Sequence, residues 1–197
     1  LEAGAEVDGI IDTTALLNLR AGATLDLSVA SNTSTSAAAG DFTGTLHLRA
    51  PQTASGTDLQ VGAIDSNIVA ASSIVVEGYH LFDLTETGGM IDASVRDAVR
   101  ENGETFLGVA GMPSATYQAM IDHLLGNNRG LEGITVLEAG AEIINRHGDL
   151  QLGSPTSTAA DDWDLSTFRF GPLGAPGALT LRASGNLAFY NALSDGF

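Results

Sequence analysis

Leu1-Glu2-Ala3-Gly4-Ala5-Glu6 returns without a change as Leu137-Glu138-Ala139-Gly140-Ala141-Glu142. Looser copies stand at Ala21-Gly22-Ala23-Thr24-Leu25 and Ala183-Ser184-Gly185-Asn186-Leu187, each an alanine, two small residues, a free position and an aliphatic. The copies at Ala3 and Ala21 start 18 residues apart (21 minus 3), a distance suited to one turn of a solenoid, in which each turn of chain buries its apolar side only against the next. Repetition therefore decides the fold class before any site is considered.

Working outward from the phrase, short alternating stretches dominate. Leu17-Asn18-Leu19-Arg20 followed by Leu25-Asp26-Leu27 is echoed by Leu179-Thr180-Leu181-Arg182 followed by Leu187-Ala188-Phe189. Leu46-His47-Leu48-Arg49-Ala50, Ser73-Ile74-Val75-Val76-Glu77, His80-Leu81-Phe82 and Leu150-Gln151-Leu152 read as strands of the same type. Period-two alternation sends Leu17, Leu19, Leu25, Leu27, Leu179, Leu181, Leu187 and Phe189 inward and their polar neighbours outward. Strands this short make no stable hairpin alone. Stacked in parallel, each coil covers the apolar row of the next and satisfies its backbone, which is the logic of a β-helix. Small residues of the repeat phrase are expected at its corners, and Asn145, Asn186 and Asn191 are expected to form internal ladders.

Two stretches break the pattern. Residues 31–41, rich in Ser, Thr and Ala, read as a loop. From Asp92 to Gly126 the period becomes helical: Val95, Ala98 and Val99 share a face between an N-cap at Asp92 and a stop at Gly103. Tyr117, Met120, Ile121, Leu124 and Leu125 then follow the 3.6-residue period up to Gly126. The expected organisation is β-helix coils over 1–91, a helical insertion over 92–128 lying outside the strand stack, and coils again over 129–197. Leu1 opens inside a repeat phrase and Phe197 follows directly on one, so the sequence reads as an internal piece of a longer protein.

Composition narrows the function classes. The 197 residues carry 8 basic side chains, all Arg, against 24 acidic ones, for a net charge of −16. That field repels phosphate backbones and anionic lipid surfaces, so nucleic acid and membrane binding are disfavoured. Zero Cys excludes disulfides and thiolate metal sites. No apolar run is long enough for a membrane-spanning helix.

Asp161, Asp162 and Asp164 around Trp163 form the densest acidic group. Such carboxylates suit oxygen-rich Ca²⁺ coordination, or acid and base roles in glycan cleavage with Trp163 as a sugar platform. The plainer reading makes Trp163 a core residue alternating with its acidic neighbours. His47, His80, His123 and His147 stand singly, without metal-site spacing, and read as turn or surface residues. Gly88-Gly89 and Gly171-Pro172-Leu173-Gly174 lack the Lys of a phosphate loop and read as corners.

The stretch Asp162-Trp163-Asp164-Leu165-Ser166-Thr167-Phe168-Arg169-Phe170-Gly171, with Pro176–Leu187 and Leu193-Ser194-Asp195-Gly196-Phe197, resembles a signature of filamentous-haemagglutinin-like bacterial exoproteins. Gly44–Pro51 and Val75–Tyr79 resemble the same family. The resemblance implies an all-β chain with a right-handed parallel β-helix, two-partner secretion through a cognate outer-membrane transporter, and a place at the bacterial cell surface. It implies adhesion to a glycan or protein receptor, or self-association in filaments or biofilm. It supplies no catalytic residue, and the helical insertion has no counterpart in it. The expectation is thus a structural and adhesive segment without cofactor or enzymatic activity. The alternative, a secreted β-helix polysaccharide lyase or glycosidase, rests on fold analogy and the Asp161–Asp164 group.

Overall fold

A computed structural model describes residues 1–5, 10–28 and 44–195. The low-complexity stretch 31–41 falls outside the described residues. Among the described residues, fifteen strands and two α-helices follow in chain order. They are β1 (Leu17–Leu19), β2 (Thr24–Asp26), β3 (Gly44–Pro51), β4 (Val61–Ile64), β5 (Asn67–Val69), β6 (Ala71–Asp83) and β7 (Met90–Ile91). Helices α1 (Ala93–Leu107) and α2 (Tyr117–Leu125) come next. The remaining strands are β8 (Thr135–Asn145), β9 (Leu150–Leu152), β10 (Trp163–Asp164), β11 (Arg169–Phe170), β12 (Ala175–Pro176), β13 (Ala178–Ala183), β14 (Leu187–Phe189) and β15 (Leu193–Ser194).

The chain is strand-dominated and its sheets are parallel, apart from the small antiparallel pair β11 and β12. The main sheet runs β13-β8-β6-β3, and Leu1–Ala3 lies along the free edge of β3 through the Glu2 bridge to Arg49. A second sheet runs β14-β9-β7, while β1 pairs β4, β2 pairs β5 and β10 pairs β15. Each parallel pairing joins segments distant in sequence, so the backbone of one segment is satisfied by the next.

The expected strands are present, with one fusion: 73–77 and 80–82 belong to the single long strand β6. The copies at Ala21-Gly22 and Ser184-Gly185 lie at corners as expected, but one copy of the repeat phrase departs from expectation. Ala139-Gly140-Ala141 lies in the middle of β8 and is no corner. A side chain at Gly140 would meet the carboxylate of Glu77 and, at 2.8 Å, the Cβ of Tyr79, so glycine is needed there for close approach of neighbouring strands. Its counterpart Gly4 does turn, with φ at +76°, and Tyr79 Oη donates to the Gly4 carbonyl at 2.7 Å. One phrase thus serves two backbone conformations.

Inward alternation holds where a strand has neighbours on both sides. Leu46, Leu48 and Ala50 of β3, Ile74 and Val76 of β6, and Leu137, Ala139, Ala141 and Ile143 of β8 are buried. Leu17 and Leu19 are buried, and Leu25, Leu27, Leu179 and Leu181 are partly buried. Leu187 and Phe189 of β14 are exposed at 48% and 51%, against expectation. Register places them on the same face as the buried Leu150 and Leu152. Their phase is right, but β14 pairs on one side only, and nothing among the described residues covers its far side.

The helical segment begins as expected, with the Asp92 carboxylate accepting from Val95 N at 3.0 Å. Its first helix does not stop at Gly103. It runs on to Leu107 and ends at Gly108, whose φ of +96° a side chain rarely adopts. Val99, Gly103, Phe106 and Leu107 form its buried face, while Ala98 is exposed. The second helix buries Met120, Ile121, Leu124 and Leu125 and ends at Gly126, as its period predicts. The apolar stripe of the second helix packs on the strands, and both helices share one hydrophobic core with them. The α1 helix packs along β8 and α2 packs on β4. Phe106 is fully buried against Gly78 of β6, where a Cβ would stand 2.5 Å from its ring.

Candidate functional site

The face of the main sheet opposite the apolar rows carries a line of charges. Parallel register places Glu2 beside Arg49, Arg49 beside Glu77 and Glu77 beside Glu138, one residue from the Leu1–Ala3 segment and one from each of β3, β6 and β8. In each strand the charge sits between an aliphatic and a small residue, so alternation aims it away from the core. Arg49 Nε donates to Glu77 Oε1 at 2.9 Å, its Nη2 to Glu142 Oε2 at 2.7 Å, and its Nη1 to Glu2. The guanidinium also lies 4.1 Å above the ring of Tyr79, where the negative π-face attracts it.

Glu77 and Glu142 are almost fully buried, so their charges require partners. Glu142 has two, Arg49 and Arg182, whose Nε stands 2.8 Å from Oε1. Burial pulls the Arg49 guanidinium toward losing its proton, but the hydrogen bond to Glu142 and the charges of Glu77, Glu142 and Glu2 outweigh it and hold the proton on. Burial, reinforced by Glu142, pushes the Tyr79 hydroxyl up to about 12. The Arg49 fork satisfies three carboxylates from three nitrogens, a geometry Lys lacks.

Glu138 stands outside this arrangement. Neither Arg49 nor Arg182 bonds it, and its neighbour in register is another carboxylate, Glu77. Burial, then the Glu77 charge, raises its pKa against the opposing pull of His47. His47 of β3 brings Nε2 to 3.1 Å from Glu77 Oε2. His47, Glu77 and Glu138 each present one ligand atom within 4.8 Å of the others, and among the described residues they are the only such set.

The residues singled out in the sequence lie elsewhere. Asp161 closes a capping box, its Oδ2 accepting from Thr158 N at 3.0 Å. Asp164 accepts from Ser166 N at 2.8 Å, and Asp162 Oδ1 accepts from Ala192 N at 2.9 Å and Asn191 Nδ2 at 3.1 Å. The three carboxylates are thus engaged in separate backbone tasks and do not converge. Trp163 is buried edge-on to Phe168, with ring centroids 5.7 Å apart, and offers no open face. His123 faces Asp58, His80 lies edge-on to Phe82, and the His147 amide donates to Asn145 Oδ1. Asn145 pairs in register with Ala183, Asn186 bonds Asp149, and Asn191 bonds Thr158 and Asp162, so no asparagine ladder links them.

The sequence reading missed Arg49, Glu77, Glu138 and Glu142 and set His47 aside. The signal was present as a recurring triplet of aliphatic, charged and small residues: Leu1-Glu2-Ala3, Leu48-Arg49-Ala50, Val76-Glu77-Gly78 and Leu137-Glu138-Ala139. Compared with known proteins, the chain matches no family model, no curated protein and no solved structure.

Proposed function

We propose that the chain is a section of a right-handed parallel β-helix from a secreted bacterial surface exoprotein of the filamentous-haemagglutinin-like kind, acting as an adhesive and structural rod. The observation that carries this reading is the shared cross-strand row of Glu2 and Glu138, the second residues of the two identical phrases, with Arg49 and Glu77 between them. The recurrence of the second residue of a repeated phrase on one row of a parallel stack is what a solenoid built by reiteration predicts. Right-handedness follows the strong preference of parallel crossover connections. Adhesion, secretion through a cognate transporter and receptor binding come from the sequence resemblance alone. The net charge of −16 directs the expected partners to neutral glycans or cationic protein surfaces, whereas self-association, against which that charge works, comes from the resemblance.

Beads coated with the 197-residue chain test the reading. Saturable attachment to animal cells, or to beads bearing the same chain, competed by the soluble chain, is the expected result. Attachment no greater than that of bare beads, together with polysaccharide turnover abolished by Asp162→Ala with Asp164→Ala, would replace the adhesin with the enzyme.

A further inference from the structure

We propose that His47, Glu77 and Glu138 form a binding site for one divalent transition-metal ion, of the Zn²⁺ class, that clamps three neighbouring strands of the main sheet. The three donors come from β3, β6 and β8, and their ligand atoms lie within 4.8 Å of one another. One pair, His47 Nε2 and Glu77 Oε2, is already at 3.1 Å, a separation that two ligands of one tetrahedral ion adopt.

Charge arrangement supplies the second argument. Carboxylates directly opposite one another on paired strands repel, and Glu77 and Glu138 are such a pair. Arg49 is already engaged by Glu77, Glu2 and Glu142, and Arg182 by Glu142, so neither of these guanidiniums neutralises Glu138. Arg49 holds Glu77 through Oε1 alone, which fixes the carboxylate and leaves Oε2 directed at His47. Such outer support orients a ligand and tunes its basicity.

Donor chemistry selects the ion. One imidazole nitrogen with two carboxylate oxygens suits Zn²⁺, with water completing the shell, since His47 is half exposed. Ca²⁺ requires six or more oxygens, which this face does not gather. Binding needs the His47 Nε2 lone pair, so the contact with Glu77 is exchanged for two bonds to the metal and any proton on that nitrogen is released.

The test is calorimetric titration of the chelator-treated full chain with Zn²⁺, alongside Co²⁺ as a spectroscopic probe and Ca²⁺ as a contrast. One equivalent of Zn²⁺, ligand-field bands from Co²⁺ and no comparable response to Ca²⁺ are expected. His47→Ala and Glu138→Gln should each weaken Zn²⁺ binding by at least about tenfold, the scale on which metal sites respond even to loss of supporting groups. Glu138→Gln removes the like-charge pair and should leave the metal-free fold intact by circular dichroism, so its loss of binding cannot be ascribed to unfolding. No saturable Zn²⁺ binding, equal affinity in the wild type and both variants, or Ca²⁺ binding as tight as Zn²⁺ would overturn the proposal.

Discussion

Gly103 lies directly against Phe170: a Cβ on that glycine would stand 2.5 Å from the tip of the ring. The contact brings α1 against β11 at a distance no other residue permits. Gly in an exposed helix interior costs about 1 kcal/mol relative to Ala, so Gly103→Ala would be stabilising if propensity decided. Here the added methyl has to displace a buried aromatic, and overpacking of that kind costs roughly 1–3 kcal/mol. A net loss of stability in urea denaturation is expected; a gain would show that the ring moves aside freely.

Phe106→Ala tests whether the helices belong to the core. The ring is fully buried on Gly78 and no glycine can fill the space it would leave. A loss of about 3–5 kcal/mol is expected, the range for large aromatics in cores. Excision of 92–127 should for the same reason lower the melting temperature of the strands themselves. Unchanged strand stability after excision would restore the picture of a detached knob.

Arg49 is the pivot of the charged face. Arg49→Met would leave Glu77 and Glu142 buried, with Arg182 serving only the latter. Breaking a buried ion pair from one side costs about 3–5 kcal/mol, and that loss is expected in equilibrium unfolding. Arg49→Lys should recover part of it, because an ammonium supplies charge without the three-way fork. Arg182→Met, at a half-exposed site, should cost clearly less.

These charges also mark the limit of what the sequence discloses. Parallel pairing, the short strands and both helices follow from period-two and period-3.6 alternation, and the Asp92 cap and Gly126 stop from local chemistry, whereas β6 reads as two strands and the middle of β8 as a corner. Gly103 was misread because a glycine required by a ring overhead looks the same in sequence as one that ends a helix. The Asp161–Asp164 group misled because nearness along the chain is visible, whereas its separate hydrogen bonds are not. Register brings Glu77 beside Glu138, and His47, two residues before the Arg49 that pairs with Glu77, reaches Glu77 diagonally. Nothing in their spacing announces it unless the aliphatic-charged-small triplets are aligned first.

Acid should loosen the C-terminal strand before the rest. Hydrogen bonds from the Ala192 amide and then the Asn191 side chain hold the Asp162 carboxyl below its ordinary value. A depressed folded-state value contributes stability above the unfolded value near 3.9, which is lost as pH falls through the folded one. Protection factors of the Ala192 and Leu193 amides, which discount the intrinsic slowing of exchange in acid, should therefore fall on acidification, ahead of those of the β6 and β8 amides. Asp162→Asn should show the lower protection already at neutral pH, with little further dependence of the protection factor on pH. Simultaneous loss of protection across all strands would assign the acid transition to other carboxylates.

Cross-strand register in the main sheet is indifferent to how much chain lies between its members. Arg49 and Glu77 meet across 28 residues, whereas Glu77 and Glu138 meet across more than twice that, with two helices in the interval. Because pairing is specified within the strands, a connection between them can lengthen, shorten or acquire a folded segment at the modest entropic penalty of a longer loop. Such an architecture is evolvable in a particular sense. New elements can be spliced between passes and tried there while the strand that follows still finds its old neighbour.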